Sequence, residues 1–438
     1  MGNSHWTGGT VYEELPTAVD VVVVGAGQAG LATSHYLQAF GVEHVVLERG
    51  RVGESWRTAR WDSFTLVTPN WMTRLPGEYL EPGSAERFLF RDELVARLER
   101  VAARLPVRTG VDVVSVAPGH SGYRVQTTAG LVSARVVVVA GGGQRRPTIP
   151  GLAEALPPTV QQLDASRYRA PDAVGPGAVL VVGSGQSGVQ IAEELAAAGR
   201  DVLLATSRVA RAPRRYRGRD VHEWSVELGV YDQPTEQVSD RRQLREAHPM
   251  LSGARGGHTI ALQQLARDGV RLLGRLTEVD DTKLRFAPNL PDNIRYADEQ
   301  AARFRNMVNQ HIARVGVVAP PPDIDPVERT WNGADRAALV LDSRTERIGT
   351  VIWATGFGPD LNWLDVPVLA RDGSLAHRRG ITALPGLYLV GHPWLSTRGS
   401  GILYGVDADA GRIAQHAAAD LGAGDGHLAV PSKMTPVG

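Results

Sequence analysis

The chain contains no cysteine. That absence removes disulfides, thiolate metal sites, iron–sulfur clusters and cysteine nucleophiles together. It suits a reducing compartment, and a cytoplasmic location is expected. Lysine is almost missing as well: Lys283 and Lys433 are the only two, and arginine carries the remaining positive charge. A codon bias explains that without any function. Neither sign of charge is in excess, because 47 basic and 47 acidic residues cancel. No net field steers the chain toward nucleic acid or an anionic membrane. No apolar run approaches the roughly 18 residues of a membrane span. The first 20 residues lack the basic and apolar regions of a signal peptide. Gly2 starts no myristoylation pattern, because Trp6 stands where Ser or Thr is required. What remains is ordinary globular composition, 43% hydrophobic over 438 residues, enough for two or three domains. A frayed tail is expected over about the first 15 residues and a mobile one after Gly422.

Two stretches carry the functional signal. In VDVVVVGAGQAGLATSHYLQAFGVEHVVLERG (19–50), the β-branched run Val21–Val24 reads as a buried parallel strand. A glycine turn follows, then apolar residues at helical spacing over 29–40, a stop at Gly41 and a second strand at Val45–Glu48. This is a βαβ unit. AVLVVGSGQSGVQIAEELAAAGRDVLLATSR (178–208) repeats it. A shift of 158 positions places Gly25, Gly27, Gln28 and Gly30 on Gly183, Gly185, Gln186 and Gly188. One GxGxxG is a weak sign. Two in register, each between a strand and a helix, predict two dinucleotide sites, with the pyrophosphate on each helix N-terminus. Ala29, Ser184 and Ser187 complete the two turns.

The repeats differ where the second strand ends. Glu48, 18 residues past Gly30, can accept from ribose hydroxyls and would repel a 2′-phosphate. Its counterpart is Thr206, followed by Ser207 and Arg208. With no carboxylate, two hydroxyls and a guanidinium, this end suits a 2′-phosphate and favours NADPH over NADH. Arg211, Arg214, Arg215 and Arg217 follow; Arg215 is a second candidate, and a solvated basic loop is the plain alternative. A flavin reduced by NADPH needs an outlet. Without cysteine it cannot be a dithiol, so oxygen, a quinone or an external carrier remain.

These residues resemble the class B flavoprotein monooxygenases, over nearly the whole chain. GESW (53–56) looks like the family's flavin-side Gly-Gly-x-Trp segment, bringing in Ser55 and Trp56. Trp61 and TLVTPNWM (65–72), with Thr68, look like the stretch passing the isoalloxazine. VIWATGF (351–357), containing Ala354, Thr355 and Gly356, matches the late Ala-Thr-Gly strand. LPGLYLVGHPW (384–394) resembles the final FAD segment near Gly391, and RGSGILYGVDADAGRIA (398–414) the closing helix. Arg49 and Val113 are added as FAD contacts. The resemblance implies a two-dinucleotide-binding α/β fold with FAD and NADPH. It also implies oxygen activation at the flavin C4a and transfer of one oxygen to nitrogen or sulfur of a small molecule. Flavin reduction of a quinone or carrier, and Baeyer–Villiger oxygenation of a ketone, are the alternatives. Asn70 is the implied group beside the C4a region; a turn-capping Asn is its plain reading. Two departures stand out. In PTVQQLDASRY (158–168), Pro158, Val160 and Asp164 replace the family's Phe, Gly and His, leaving Tyr168. The first Ala-Thr-Gly copy is altered to AGGG (140–143).

Pro-rich stretches at 147–159, 170–177 and 318–333 suggest domain boundaries. The expected organisation is an FAD domain over 1–160 and 330–438, with an NADPH domain at 161–329 between. Helices are expected near 238–247, 257–268 and 297–315. Substrate contacts are expected from 219–317 and 394–404. His222, Trp224 and His258 read as capping or core residues before ligands. Trp56, Trp61 and Trp71 are as suited to core as to a site wall. No metal-ligand spacing or nucleophile elbow occurs. Homodimerisation stays open.

Overall fold

The computed structural model describes residues 14–323, 325–370 and 375–422. Most of the expected frayed N-terminal tail, and the expected mobile tail after Gly422, lie outside the described residues. Two parallel sheets form the frame. In the first, strands run in the order Leu387–Leu389, Gly130–Val139, Ala18–Val24, His44–Glu48, Val107–Thr109, all parallel. A hairpin, Val113–Gly119 and Gly122–Thr127, joins it antiparallel along Gly130–Val139. In the second, Gln161–Asp164, Ile348–Trp353, Ala178–Val182, Val202–Ala205 and Arg271–Leu273 are likewise all parallel. Strand for strand, the two orders correspond.

The central strands are nearly pure Val, Leu and Ile because both faces are covered. Val21, Val22, Val23, Val179, Leu180 and Val181 are fully buried. Each such side chain contributes roughly 1.5–3 kcal/mol relative to exposure. Helices Gln28–Ala39 and Gln186–Ala197 each cover one face. Helix Val406–Asp420 packs on the first of these, and Tyr36 donates to Asp407 at 2.8 Å across the pair.

The sheets redraw the division expected at 329/330. Strand Ile348–Trp353, which contains the start of VIWATGF, pairs inside the second sheet with Ala178–Val182. It is the counterpart of Gly130–Val139 in the first. The matching hydrogen bonds repeat closely: Ala140 N donates to Val24 O and Ala354 N to Val182 O, both at 2.9 Å. AGGG and ATGF are therefore structural equivalents, each closing on a glycine turn. The segment 238–247 forms only a 3-10 turn at Arg241–Arg245, whereas 290–315 is one 26-residue helix. Among the described residues, no helix is long and apolar enough to cross a membrane, and no cluster of residues could hold a metal ion.

The strand-to-helix crossing sets a steric limit. A Cβ on Gly30 would lie 1.8 Å from the Gly25 carbonyl oxygen, and one on Gly188 would lie 1.9 Å from that of Gly183. Gly30→Ala should therefore destabilise the fold by about 3 kcal/mol or more. Denaturant unfolding checks this, and an unchanged midpoint would contradict the packing described.

Candidate active site

Each fingerprint turn is built the same way. Gly25 and Gly183 take φ of +109° and +105°, a region that L side chains avoid. The chain can then swing from strand to helix against Ala140 and Ala354. Gly27 and Gly185 are the N-caps, and neither helix has a side-chain cap or an acidic residue in its first turn. Their leading amides are left to meet an anion. No atom lies within 4 Å of a Cβ built on Gly27, so that turn is open.

The Glu48 carboxylate braces its own turn. One oxygen accepts from Ala26 N and the other from Gly50 N, both at 2.9 Å. A carboxylate oxygen takes a second donor, so ribose hydroxyls can still be received. At the second strand end the bracing is done by a hydroxyl: Ser207 N donates to Ser184 Oγ at 2.9 Å. Thr206 turns inward, contrary to the two-hydroxyl reading. It is buried, donates to Leu273 O at 2.7 Å and accepts from Asn293 at 2.9 Å. Arg208 is exposed, with its guanidinium 4.1 Å over the Tyr296 ring.

A cavity of about 480 Å³ joins the two fingerprints. Gly25, Gly27, Gln28, Ala29, Glu48 and Arg49 line one end. Ser55, Trp56, Trp61, Thr68, Val113 and Gly391 line its course, and Gln186 and Ser187 open into it from the second unit. Trp56 donates to Gln28 at 2.9 Å, fixing the indole over the first turn. Arg60 lies over both Trp56 and Phe64, and burial lowers its pKa to about 10.

Several expected site residues sit off the cavity wall. Gly30, Gly183, Ser184, Gly185 and Gly188 form the turns behind it. Ala354, Thr355 and Gly356 close the second turn, and Thr355 donates to Thr148 O at 2.6 Å. Asn70 is buried, donates to Ser84 O at 3.2 Å, and its side-chain oxygen has no partner. This places Asn70 behind the wall, while Thr68 lies on it. Arg215 directs its fork at the carbonyls of Gly256 and Gly257, each at 3.1 Å. The basic loop around it is largely internal: Arg211 pairs with Asp298 and Glu328, and Arg214 pairs with Asp220 and donates to Val67 O.

His222, expected to be a capping or core residue, is on the cavity wall instead. Asp220 caps its helix through the His222 amide, freeing the ring for the cavity. Tyr231, Phe304 and Arg398 join it there and carry no sequence signal. Segments 219–317 and 394–404 thus supply most of the inner wall. Trp224 is core, with its indole bonded to Tyr216 O. His258 meets Glu193 on the second fingerprint helix at 2.7 Å. Tyr168 donates to Glu194 at 2.9 Å, Ser63 reaches the other oxygen of that carboxylate at 2.5 Å, and Tyr168 packs near Trp61. The surviving aromatic of the altered stretch therefore ties the two units together.

Fold and cavity define a two-dinucleotide-binding α/β protein in which both glycine fingerprints open on one space. Residues 22–224 match the family described as pyridine nucleotide-disulphide oxidoreductase. The chain is 31% identical over 398 residues to an uncharacterized oxidoreductase, CzcO-like, from Geobacillus kaustophilus, covering 90% of this chain and 96% of that one. It is 27% identical to the indole-3-pyruvate monooxygenase YUCCA1 of Oryza sativa subsp. japonica, covering 90% of each. A flavin-containing monooxygenase from Stenotrophomonas maltophilia shares the fold, with a TM-score of 0.60 at 21% identity over 92% of this chain and 98% of that one. The chain belongs to the family of the CzcO-like oxidoreductases. It is an oxidoreductase.

Burial and the nearby Arg214 guanidinium lower the His222 pKa to about 3. The unfolded chain binds that proton near 6.5. A lowered folded value means full stability above pH 6.5, lost as pH falls toward 3, at up to ~1.4 kcal/mol per pH unit. Between pH 7 and pH 5, wild type should lose about 2 kcal/mol more than His222→Gln in denaturant unfolding. Equal losses would show that the imidazole is not held neutral.

Proposed function

We propose that the protein is an NADPH- and FAD-dependent monooxygenase that transfers one atom of oxygen to a nitrogen or sulfur of a small molecule. One observation carries the reading: a single cavity is lined by both glycine fingerprints, so two dinucleotides bound there would meet within it. The residues fit those groups. The open Gly27 turn and the Glu48 carboxylate suit the FAD pyrophosphate and ribose. The uncapped Gly185 turn, with Ser207 and Arg208 at the carboxylate-free strand end, suits NADPH. When bound, the flavin supplies hydride acceptance and oxygen activation.

The protein's own part is positional. Gln28 and Trp56 hold the floor of the first site. Glu48 presents its remaining lone pairs while bracing the turn that receives the pyrophosphate. Trp61, Phe64 and Leu66 line the course with apolar surface that excludes water from the reacting centre. His222 stays neutral at working pH. Its Nε2 faces Val67 O at 3.2 Å and its Nδ1 faces the Tyr231 hydroxyl at 2.5 Å. The Nε2–H tautomer satisfies both contacts, with Tyr231 donating to Nδ1.

Arg208→Ala should raise the KM for NADPH by roughly tenfold to a hundredfold, while the KM for NADH changes less than about threefold. Equal losses would refute the 2′-phosphate site. For the outlet, each NADPH consumed with substrate should yield one oxygenated product. NADPH oxidation that proceeds as fast without oxygen, with a quinone as acceptor, would sink the monooxygenase reading in favour of a reductase.

A further inference from the structure

The inner part of the cavity differs in character from the two fingerprint ends. Val221, Val230, Leu251, Phe304, Ile402 and Leu403 make it apolar. Its polar groups have mostly settled their protons within the protein. His222 directs Nε2–H to Val67 O, Tyr231 donates to His222, and Ser225 donates to Val221 O at 2.7 Å. The cation on this wall is Arg398, half-buried, with its guanidinium 5.8 Å from the Trp394 ring centre. No carboxylate pairs with it among the described residues. Of the acidic cavity residues, Asp360 stands three residues before Trp363, whose indole donates to its carbonyl at 2.9 Å, and Glu48, Glu54 and Asp112 belong to the first fingerprint end. There Glu54 is paired with Arg51, and Glu48 O accepts from Val111 N, next to Asp112.

Arg398 is also held in place before any ligand arrives. Its own amide donates to Gln233 O at 3.0 Å, and Gly399 N donates to Tyr231 O at 2.9 Å. Ser400 Oγ accepts from the amides of Ser396 and Thr397, each at 3.1 Å. Ser396 in turn donates to the buried Asp409 at 2.5 Å. A guanidinium carried on a fixed backbone into an apolar recess, with no anion of its own, is poised for one from outside.

We propose that Arg398 anchors the carboxylate of the substrate, so that the enzyme acts on a small organic acid whose apolar body carries the atom to be oxygenated. This deepens the monooxygenase reading and rests on it for the reaction, though not for the binding. A phosphate of NADPH is the competing anion. The second fingerprint, however, has its own uncapped helix amides and Arg208 for phosphates, while Arg398 belongs to the loop bound to Tyr231.

The test uses the flavin-loaded protein. Calorimetry measures binding of a graded series of phenylalkanoates, from phenylacetate to phenylpentanoate, each beside its neutral amide, to oxidised wild type and to Arg398→Met. At least one acid should bind wild type about thirtyfold more tightly than its amide. That preference should vanish in Arg398→Met, while amide binding and the affinity for NADP⁺ stay within about twofold. Unchanged amide binding also certifies that the variant is folded, and Arg398→Lys should retain part of the preference. The proposal is overturned if no acid is preferred by wild type, if acid and amide weaken together in the variant, or if NADP⁺ affinity falls instead. Turnover is read separately, with 4-(methylthio)phenylacetate as probe. Acid binding through Arg398 without sulfoxide formation would keep the anchor and count against sulfur oxygenation of this acid, so the two claims fail apart.

Discussion

The molecule depends on one close approach, made twice. At each fingerprint a strand turns into a helix so tightly that the third glycine of the motif lies almost on the carbonyl of the first. A later strand, followed at once by Ala140 or Ala354, closes on the same point. Backbone packs there against backbone, and no side chain fits. What this secures is a helix N-terminus stripped of caps and aimed into shared space. Two such termini open on one cavity because Glu194, gripped by Ser63 and Tyr168, ties the second helix to a loop of the first unit.

On that repeated frame, the difference between the sites is chemical. The first strand end carries a carboxylate that braces its turn through two amides and keeps lone pairs for a ribose. The second replaces it with a serine-to-serine brace and an exposed guanidinium. Neither change disturbs the sheet, since Glu48 is the last residue of its strand and Thr206 the first after its own. The two units share their geometry and differ in a few side chains at the strand ends.

The sequence made the frame legible because its determinants are local. Glycines at fixed spacing, valine runs and the two strand endings all act within one βαβ unit. The equivalence of AGGG and ATGF was also readable, although the placement of Ile348–Trp353 in the second sheet was not. Pairing over such separations leaves no mark on local pattern. The same holds for the site. Thr206 was expected to face a ligand, but a buried acceptor on Leu273 and a donor on Asn293 claimed it. For Arg211 and Arg214 a solvated basic loop was the plain alternative to a phosphate site, yet both are buried and paired, Arg211 with Asp298 and Glu328 and Arg214 with Asp220. Asn70 lies one layer behind Thr68. His222, Tyr231 and Arg398 meet across 176 positions of sequence, a juxtaposition that only the fold creates.

The central claim is that the two fingerprints are separate sites with separate ligands. Gly27→Val and Gly185→Val test it most directly, because each places a side chain where one helix terminus should receive its pyrophosphate. Flavin content after purification and NADP⁺ affinity by calorimetry would be measured for both variants. The account predicts a crossed result. Gly27→Val should lose flavin, and its apoprotein should still bind NADP⁺, whereas Gly185→Val should stay yellow and fail to bind it. Loss of both ligands in each correctly folded variant, or the reverse pairing, would contradict the assignment.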